Sequence, residues 1–245
     1  MNIKLAFRLT RVALHVTEGL FTATVAFPWM AQARRDHHTR RWSRALLAIC
    51  GVSIEVPAPE ASLARTMVVA NHVSWLDIFV INAVHPCRFV AKSEIRSWPV
   101  LGWLPDKAGT VFIARGNRRD LRHIFKGLVT RLEQGERVAF FPEGTTAAQG
   151  NLLPFHANLF EAAIDANACV LPCALRYVDA AGALHHSVDY IDDMSFAESM
   201  VGILSGGPVR AQLAWLAPID ATGAHRRELA QVTHQAIATA LQIAR

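Results

Sequence analysis

The residues best suited to do chemistry lie in one heptapeptide, Asn71-His72-Val73-Ser74-Trp75-Leu76-Asp77. A carboxylate on one imidazole nitrogen holds the ring in a single tautomer and leaves the other nitrogen free to take a proton. His72 and Asp77 are five residues apart, too far round a regular helix to face each other. They meet only if His72 stays in a turn while Asp77 reaches back from the start of a helix. The apolar runs at 67–70 and 78–81 fit that arrangement: a buried strand, a turn, then a helix beginning near Ser74. In open α/β sheets this crevice at a strand's carboxyl end is where ligands bind. The pair is two-thirds of a Ser-His-Asp triad with no obvious nucleophile beside it, so the hydroxyl can belong to a substrate. An isolated H-x4-D spacing also serves capping and core packing, so the rest of the chain has to decide.

Three further stretches come at or near strand ends. In Gly109-Thr110-Val111-Phe112-Ile113-Ala114-Arg115-Gly116 a strand delivers Arg115, and Arg118, Arg119 and Arg122 follow in the next helix. Guanidinium groups grip phosphate bidentately, and a helix N-terminus adds its dipole. Arg119 and Arg122 serve equally well as a solvated helix face. In Val138-Ala139-Phe140-Phe141-Pro142-Glu143-Gly144-Thr145-Thr146 an apolar strand delivers a carboxylate, then a glycine allowing close backbone approach, then two hydroxyls. Glu143 can accept a hydrogen bond from a polyol, hold an arginine, or cap the next element. N–H groups near the Gly144 turn are candidates for stabilising an oxyanion. The third stretch, Val170-Leu171-Pro172, reads as a buried strand whose proline marks a cleft wall.

Together these segments resemble the glycerolipid acyltransferase family, which includes 1-acylglycerol-3-phosphate acyltransferase. The family's N-H-x4-D, G-x-x-F-I-x-R, F-P-E-G-T and V-x-P blocks read here NHVSWLD, GTVFIAR, FPEGT and VLP, across about residues 67 to 175. The resemblance implies that His72 is the general base and Asp77 orients it. It implies that Arg115 and Glu143, with Gly144 and Thr145, bind a phosphate-bearing acceptor. The implied reaction moves an acyl group from acyl-CoA or acyl carrier protein to a lyso-lipid hydroxyl, most simply that of 1-acyl-sn-glycerol-3-phosphate. No metal or other cofactor is required, and no covalent acyl-enzyme. The chain departs from the pattern at Thr146-Ala147, where many members carry a basic residue, and at Ala157-Asn158, where a lysine-glycine pair is common. That pattern keeps a lyso-ornithine lipid open as the alternative acceptor. An acyl-thioesterase or lipase would share an apolar groove, but no G-x-S-x-G elbow is present.

Around these groups the pattern predicts strands near 67–70, 87–91, 109–114, 137–141, 169–175 and 209–216. Helices are predicted near 74–84, 118–134, 156–167 and 223–243. The alternation predicts an α/β fold, a mostly parallel mixed sheet with helices on both faces. Residues 57–62 read as a linker, dividing helices at 1–56 from an α/β acyltransferase domain at 57–245. In the first part Lys4, Arg8, Arg11, His15, Glu18 and Thr22 form one polar stripe on an otherwise apolar helix over 3–31. A second helix is predicted from an Asp36 N-cap to just before Gly51. The expectation is an N-terminal membrane-associated helical hairpin, lying in the interface rather than cleanly spanning it, because His15 and Glu18 interrupt the apolar run. No small-residue cleavage site marks a signal peptide.

Composition bounds the partners. At 245 residues, 52% hydrophobic and only 18% charged, with a formal charge of +5, the chain suits phosphates or an anionic membrane surface. No basic run interleaves with aromatics, so nucleic acid is not an expected partner. Cys50, Cys87, Cys169 and Cys173 have no C-x-x-C spacing and read as free thiols in a reducing compartment. The adjacent pairs His37-His38 and His185-His186 point apart on regular elements and make no metal cluster. The expected location is the cytoplasmic face of the inner membrane.

Overall fold

A computed structural model describes residues 3–56, 64–92, 110–113 and 118–243. The expected linker at 57–62 and the strand-end Arg115 lie outside the described residues. Alternating apolar residues build a sheet with two separate cores. On β2 (Thr66–Ala70), Val68 and Ala70 enter one core while Met67 and Val69 enter the other. On β5 (Val138–Phe140), Ala139 faces the first core and Val138 and Phe140 the second. This is the period-2 pattern of strands buried on both faces.

The other strands are β1 (Val52–Glu55), β3 (Arg88–Lys92), β4 (Val111–Ile113), β6 (Cys169–Val178), β7 (Val209–Trp215) and β8 (Ile219–Asp220). The sheet order is β1-β7-β6-β2-β5-β3-β4, with β8 on β6. β2 runs parallel to β5 and β6, and β3 parallel to β4 and β5. β7 and β8 run antiparallel to β6. The α/β class and the mixed, mostly parallel sheet are as expected. Pro172 falls where β6 changes partner from β8 to β7, so its missing N–H breaks no ladder bond.

One face carries α1 (Ile3–Phe21), α2 (Gln32–Ile49), α3 (Leu76–Val84) and α6 (Phe196–Ser205). The other carries α4 (Arg118–Glu133), α5 (Glu161–Asp165) and α7 (Arg226–Leu241). Three of these strands and helices were not expected: β1, β8 and α6. β1 pairs in parallel with β7, so residues 52–55, assigned to the helical part, are in the sheet. α6 begins with a capping box in which Ser195 accepts from Glu198 N–H and Glu198 accepts from Ser195 N–H.

The N-terminal helices form an antiparallel hairpin locked by a reciprocal contact. The Trp42 indole donates to His15 O at 3.1 Å, and His15 Nε2 donates to Trp42 O at 2.9 Å. The two rings stack at 4.6 Å. α1 ends at Phe21 rather than near residue 31, passing through a π turn and a 3-10 turn at Phe27–Trp29. α2 starts four residues before the expected Asp36 cap, because the chain is already extended at Ala31. Asp36 instead accepts from Gln32 and pairs with Arg137 at 3.1 Å.

α1 has two apolar faces. Leu5, Leu9, Val12 and Val16 pack on the core, and Ile3, Phe7, Leu14 and Phe21 point into solvent, followed by Val25 and Trp29, the last 90% exposed. The polar stripe lies between them and is partly used inside the fold, Arg8 donating to Leu204 O at 2.7 Å. Among the described residues no helix is long and apolar enough to cross a membrane.

Candidate active site

Three parallel strands place the site. β2 stops at Ala70, level with Cys173 of β6, while β6 continues to Val178. The Asn71 side chain then replaces the missing ladder: its amide donates to Leu175 O, and its oxygen accepts from Leu175 N–H, both at 2.8 Å. A buried asparagine thus satisfies two strand groups that would otherwise be orphaned and aims the chain into the turn at His72.

Asp77, in the first turn of α3, reaches back as the spacing requires. Its Oδ2 lies 2.8 Å from His72 Nδ1 and accepts from the N–H groups of Val73 at 2.7 Å and Ser74 at 2.9 Å. Its Oδ1 accepts from the Tyr177 hydroxyl at 2.6 Å. The carboxylate is fully buried, and these four donors offset a desolvation cost that an unpaired charge could not bear. With the carboxylate on Nδ1, the lone pair stands on Nε2, which has no hydrogen-bond partner among the described residues. The His72 side chain is 18% exposed, so the ring is reachable.

Phe141, just past the end of β5, stacks on the imidazole with centroids 3.9 Å apart and planes within 8°. Phe89 stacks behind it. The ring of His72 is therefore fixed in plane as well as at one nitrogen.

Glu143 enters the same turn and takes a different position from the acceptor-facing one expected. It is 4% exposed, its Oε1 accepting from His72 N–H at 2.7 Å and its Oε2 from Leu153 N–H at 2.8 Å. Burial pushes its carboxyl above the usual range, and the two N–H groups oppose that rise. Here it braces the backbone beneath His72. Gly144 has φ +71, a conformation that favours glycine, and an added Cβ would meet the His156 ring at 3.3 Å. Its N–H donates to Phe141 O at 3.1 Å, so it is not a free oxyanion donor. Thr145 is exposed, and the Thr146 hydroxyl donates to Tyr190 O.

The structure therefore brings together His72, Asp77, Glu143 and Gly144, with Thr145 on the adjoining surface, while Arg115 lies outside the described residues. Sequence reasoning missed Asn71 as a ladder extender, Phe141 as a stacking partner and Tyr177 altogether. Tyr177 was within reach: extending the alternation of Cys173 and Leu175 by one step puts it on the same face. Cys173 is buried and Cys169 is exposed at the start of β6, and all four thiols are free. Among the described residues no cluster of three or more His, Cys, Asp or Glu is placed to hold a metal ion.

Fold and site together define an α/β protein with a His–Asp pair in the crevice at the carboxyl ends of its central strands. The chain belongs to the acyltransferase family, whose model, described as Acyltransferase, matches residues 53–176. It is 50% identical over 151 residues to a 1-acyl-sn-glycerol-3-phosphate acyltransferase of Neisseria meningitidis, a match covering 61% of this chain and 59% of that relative. The chain thus spans about three-fifths of the length of that relative. It is 38% identical over 209 residues to a lyso-ornithine lipid O-acyltransferase of Pseudomonas aeruginosa, covering 84% of this chain and 79% of the relative. The fold is shared with the 1-acyl-sn-glycerophosphate (LPA) acyltransferase PlsC of Thermotoga maritima, at a TM-score of 0.65 and 20% identity, covering 96% of both chains.

Proposed function

We propose that the protein transfers a fatty acyl group from a thioester, on CoA or acyl carrier protein, to the free hydroxyl of a lyso-lipid. The observation that carries this reading is the His72–Asp77 pair at 2.8 Å, with no hydroxyl or thiol of the described chain bonded to the ring. A base without a nucleophile of its own suits an alcohol brought by the substrate. His72 Nε2 takes the hydroxyl proton as the oxygen attacks the thioester carbonyl. The tetrahedral adduct collapses, the C–S bond breaks, and the proton passes to the leaving sulfur. General-base assistance of this kind is worth about 10²–10⁴-fold, and alignment of the two substrates adds to it. The N–H groups of Thr145 and Thr146, next along the turn from Gly144, are the nearest candidates for the oxyanion. Arg115 supplies a guanidinium for the acceptor's phosphate, consistent with the family resemblance.

The preferred acceptor is 1-acyl-sn-glycerol-3-phosphate, giving phosphatidic acid. A lyso-ornithine lipid is the second reading, favoured by the larger share of this chain aligned with relatives of that name. The absence of a basic side chain at Thr146 and Ala147 points the same way. The outward apolar face of α1, ending in exposed Trp29, supports attachment to the membrane surface where such acceptors reside, on the cytoplasmic side where thioester donors are made.

Incubating the purified chain with labelled palmitoyl-CoA and each lyso-lipid, then identifying products, tests the reading. Acceptor-dependent ester is expected, and His72→Ala should lower it by at least about 10²-fold. Free fatty acid formed without acceptor would favour a thioesterase, and near-normal transfer by a folded His72→Ala protein would overturn the mechanism.

A further inference from the structure

Resting on the acyl-transfer reading above, we propose that Tyr177 is a positioning residue of the reaction. Its hydroxyl, donated to the Asp77 oxygen that His72 does not use, sets how strongly that carboxylate holds the imidazole. The geometry separates the two oxygens of Asp77. Oδ2 serves His72 and the two N–H groups of the turn, whereas among the described residues Oδ1 accepts from Tyr177 alone, at 2.6 Å. Both side chains are wholly buried, so water does not substitute for the phenol.

The phenol is also held still. Tyr177 N–H donates to Gln149 Oε1 at 2.6 Å, and Tyr177 O accepts from His185 N–H at 2.9 Å. Its ring is packed in the core shared by α3 and β6. Burial, reinforced by the Asp77 charge, pushes its pKa well above 10, so the hydroxyl stays protonated and remains a donor throughout the working range.

A donor on Oδ1 draws charge from the whole carboxylate. Taking it away leaves a more basic Asp77, which favours imidazolium over imidazole; strengthening it does the reverse. Because transfer requires neutral His72, loss of the hydroxyl moves the acid limb of the pH–rate profile to higher pH, and a stronger donor moves it to lower pH. Among the described residues, the other titratable groups coupled to this pair are Glu143, from the turn after β5, and Cys173 of β6 with Cys87 behind it. Burial pushes Cys87 up to about 12 and Cys173 well above 9, so both thiols stay neutral. All three groups stay in place in the variants below.

The chain has only two tyrosines, 177 and 190, which makes a graded test possible. In a Tyr190→Phe background, biosynthetic 3-fluorotyrosine changes the acidity of Tyr177 alone. Rates against pH are measured with palmitoyl-CoA and 1-oleoyl-glycerol-3-phosphate in mixed micelles, or lyso-ornithine lipid if that acceptor turns over instead. Relative to the same background with ordinary tyrosine, the fluorinated protein is expected to shift its acid limb downward. Tyr177→Phe is expected to shift it upward by about half a pH unit and to lower kcat about ten-fold, with KM within about two-fold. Acid limbs that stay put, or that move the same way in both proteins, would overturn the proposal. If Tyr177→Phe fails to fold, the fluorinated protein decides alone. A His72→Ala control separates the levels: retained transfer there defeats the acyl-transfer mechanism, whereas lost transfer with unmoved limbs defeats only the role of Tyr177.

Discussion

Glu143 has both carboxylate oxygens on backbone N–H groups, those of His72 and Leu153. A glutamine in its place keeps one acceptor but turns an NH2 toward the other N–H, donor against donor. Leaving a buried donor unsatisfied costs about 1–3 kcal/mol, and here the group released is the peptide that carries the imidazole. Glu143→Gln should therefore lower both the unfolding free energy, by denaturant titration, and kcat, while leaving the KM for acceptor nearly unchanged. A raised KM at unaltered stability would instead mean that the carboxylate touches the acceptor, as the family resemblance implied. The same logic of saturated acceptors explains why Asp77 can be buried as an ion: each of its oxygens has work to do before any substrate arrives.

Among the elements, α1 and α2 are held face to face by the small side of Gly19. An added Cβ there would lie 2.5 Å from Trp42 Nε1 and 2.7 Å from Cε2. The indole cannot withdraw freely, because it donates to His15 O and stacks on the His15 ring. Gly19→Ala should destabilise the hairpin by about 1–3 kcal/mol, the range for overpacking a close contact, seen as an earlier unfolding transition by tryptophan fluorescence. α1 is tied onward to the site: Arg8 binds the last turn of α6, and Ser199 of α6 accepts from the Trp75 indole inside the H-x4-D turn at 3.1 Å. The helices that carry the exposed apolar face are thus packed on the machinery rather than strung from it.

For the molecule as a whole, the outer face of α1 is apolar while much of its polar stripe turns inward or sideways. Ile3, Phe7, Leu14 and Phe21 contribute nothing to the core, so their cost in water is recovered only when something apolar covers them. Burying side chains of this size is worth about 1.5–3 kcal/mol each. Changing Phe7, Leu14 and Phe21 together to serine should weaken binding to anionic phospholipid vesicles by at least about a hundred-fold, without moving the unfolding midpoint. Unchanged sedimentation with vesicles would show that this face meets something other than a lipid surface.

The alternation of strands and helices, the two-faced sheet and the meeting of His72 with Asp77 were legible in the order of residues. These follow from local periodicity and from a five-residue spacing that admits one geometry. The sequence also exposed the unusual N-terminal helix, since a narrow polar stripe needs no tertiary knowledge to be seen. Tertiary structure alone decided which groups hold the dyad. Tyr177 is 100 residues from Asp77, and Asn71 is 104 from Leu175. Their contacts arise because β6 outruns β2 in a parallel register, which no local pattern records. It likewise turned Glu143 inward, because a carboxylate's direction depends on which N–H groups the neighbouring strands leave unpaired. β1 and α6 escaped notice because four residues of strand and one capping box acquire meaning only when β7 and the core are there to receive them.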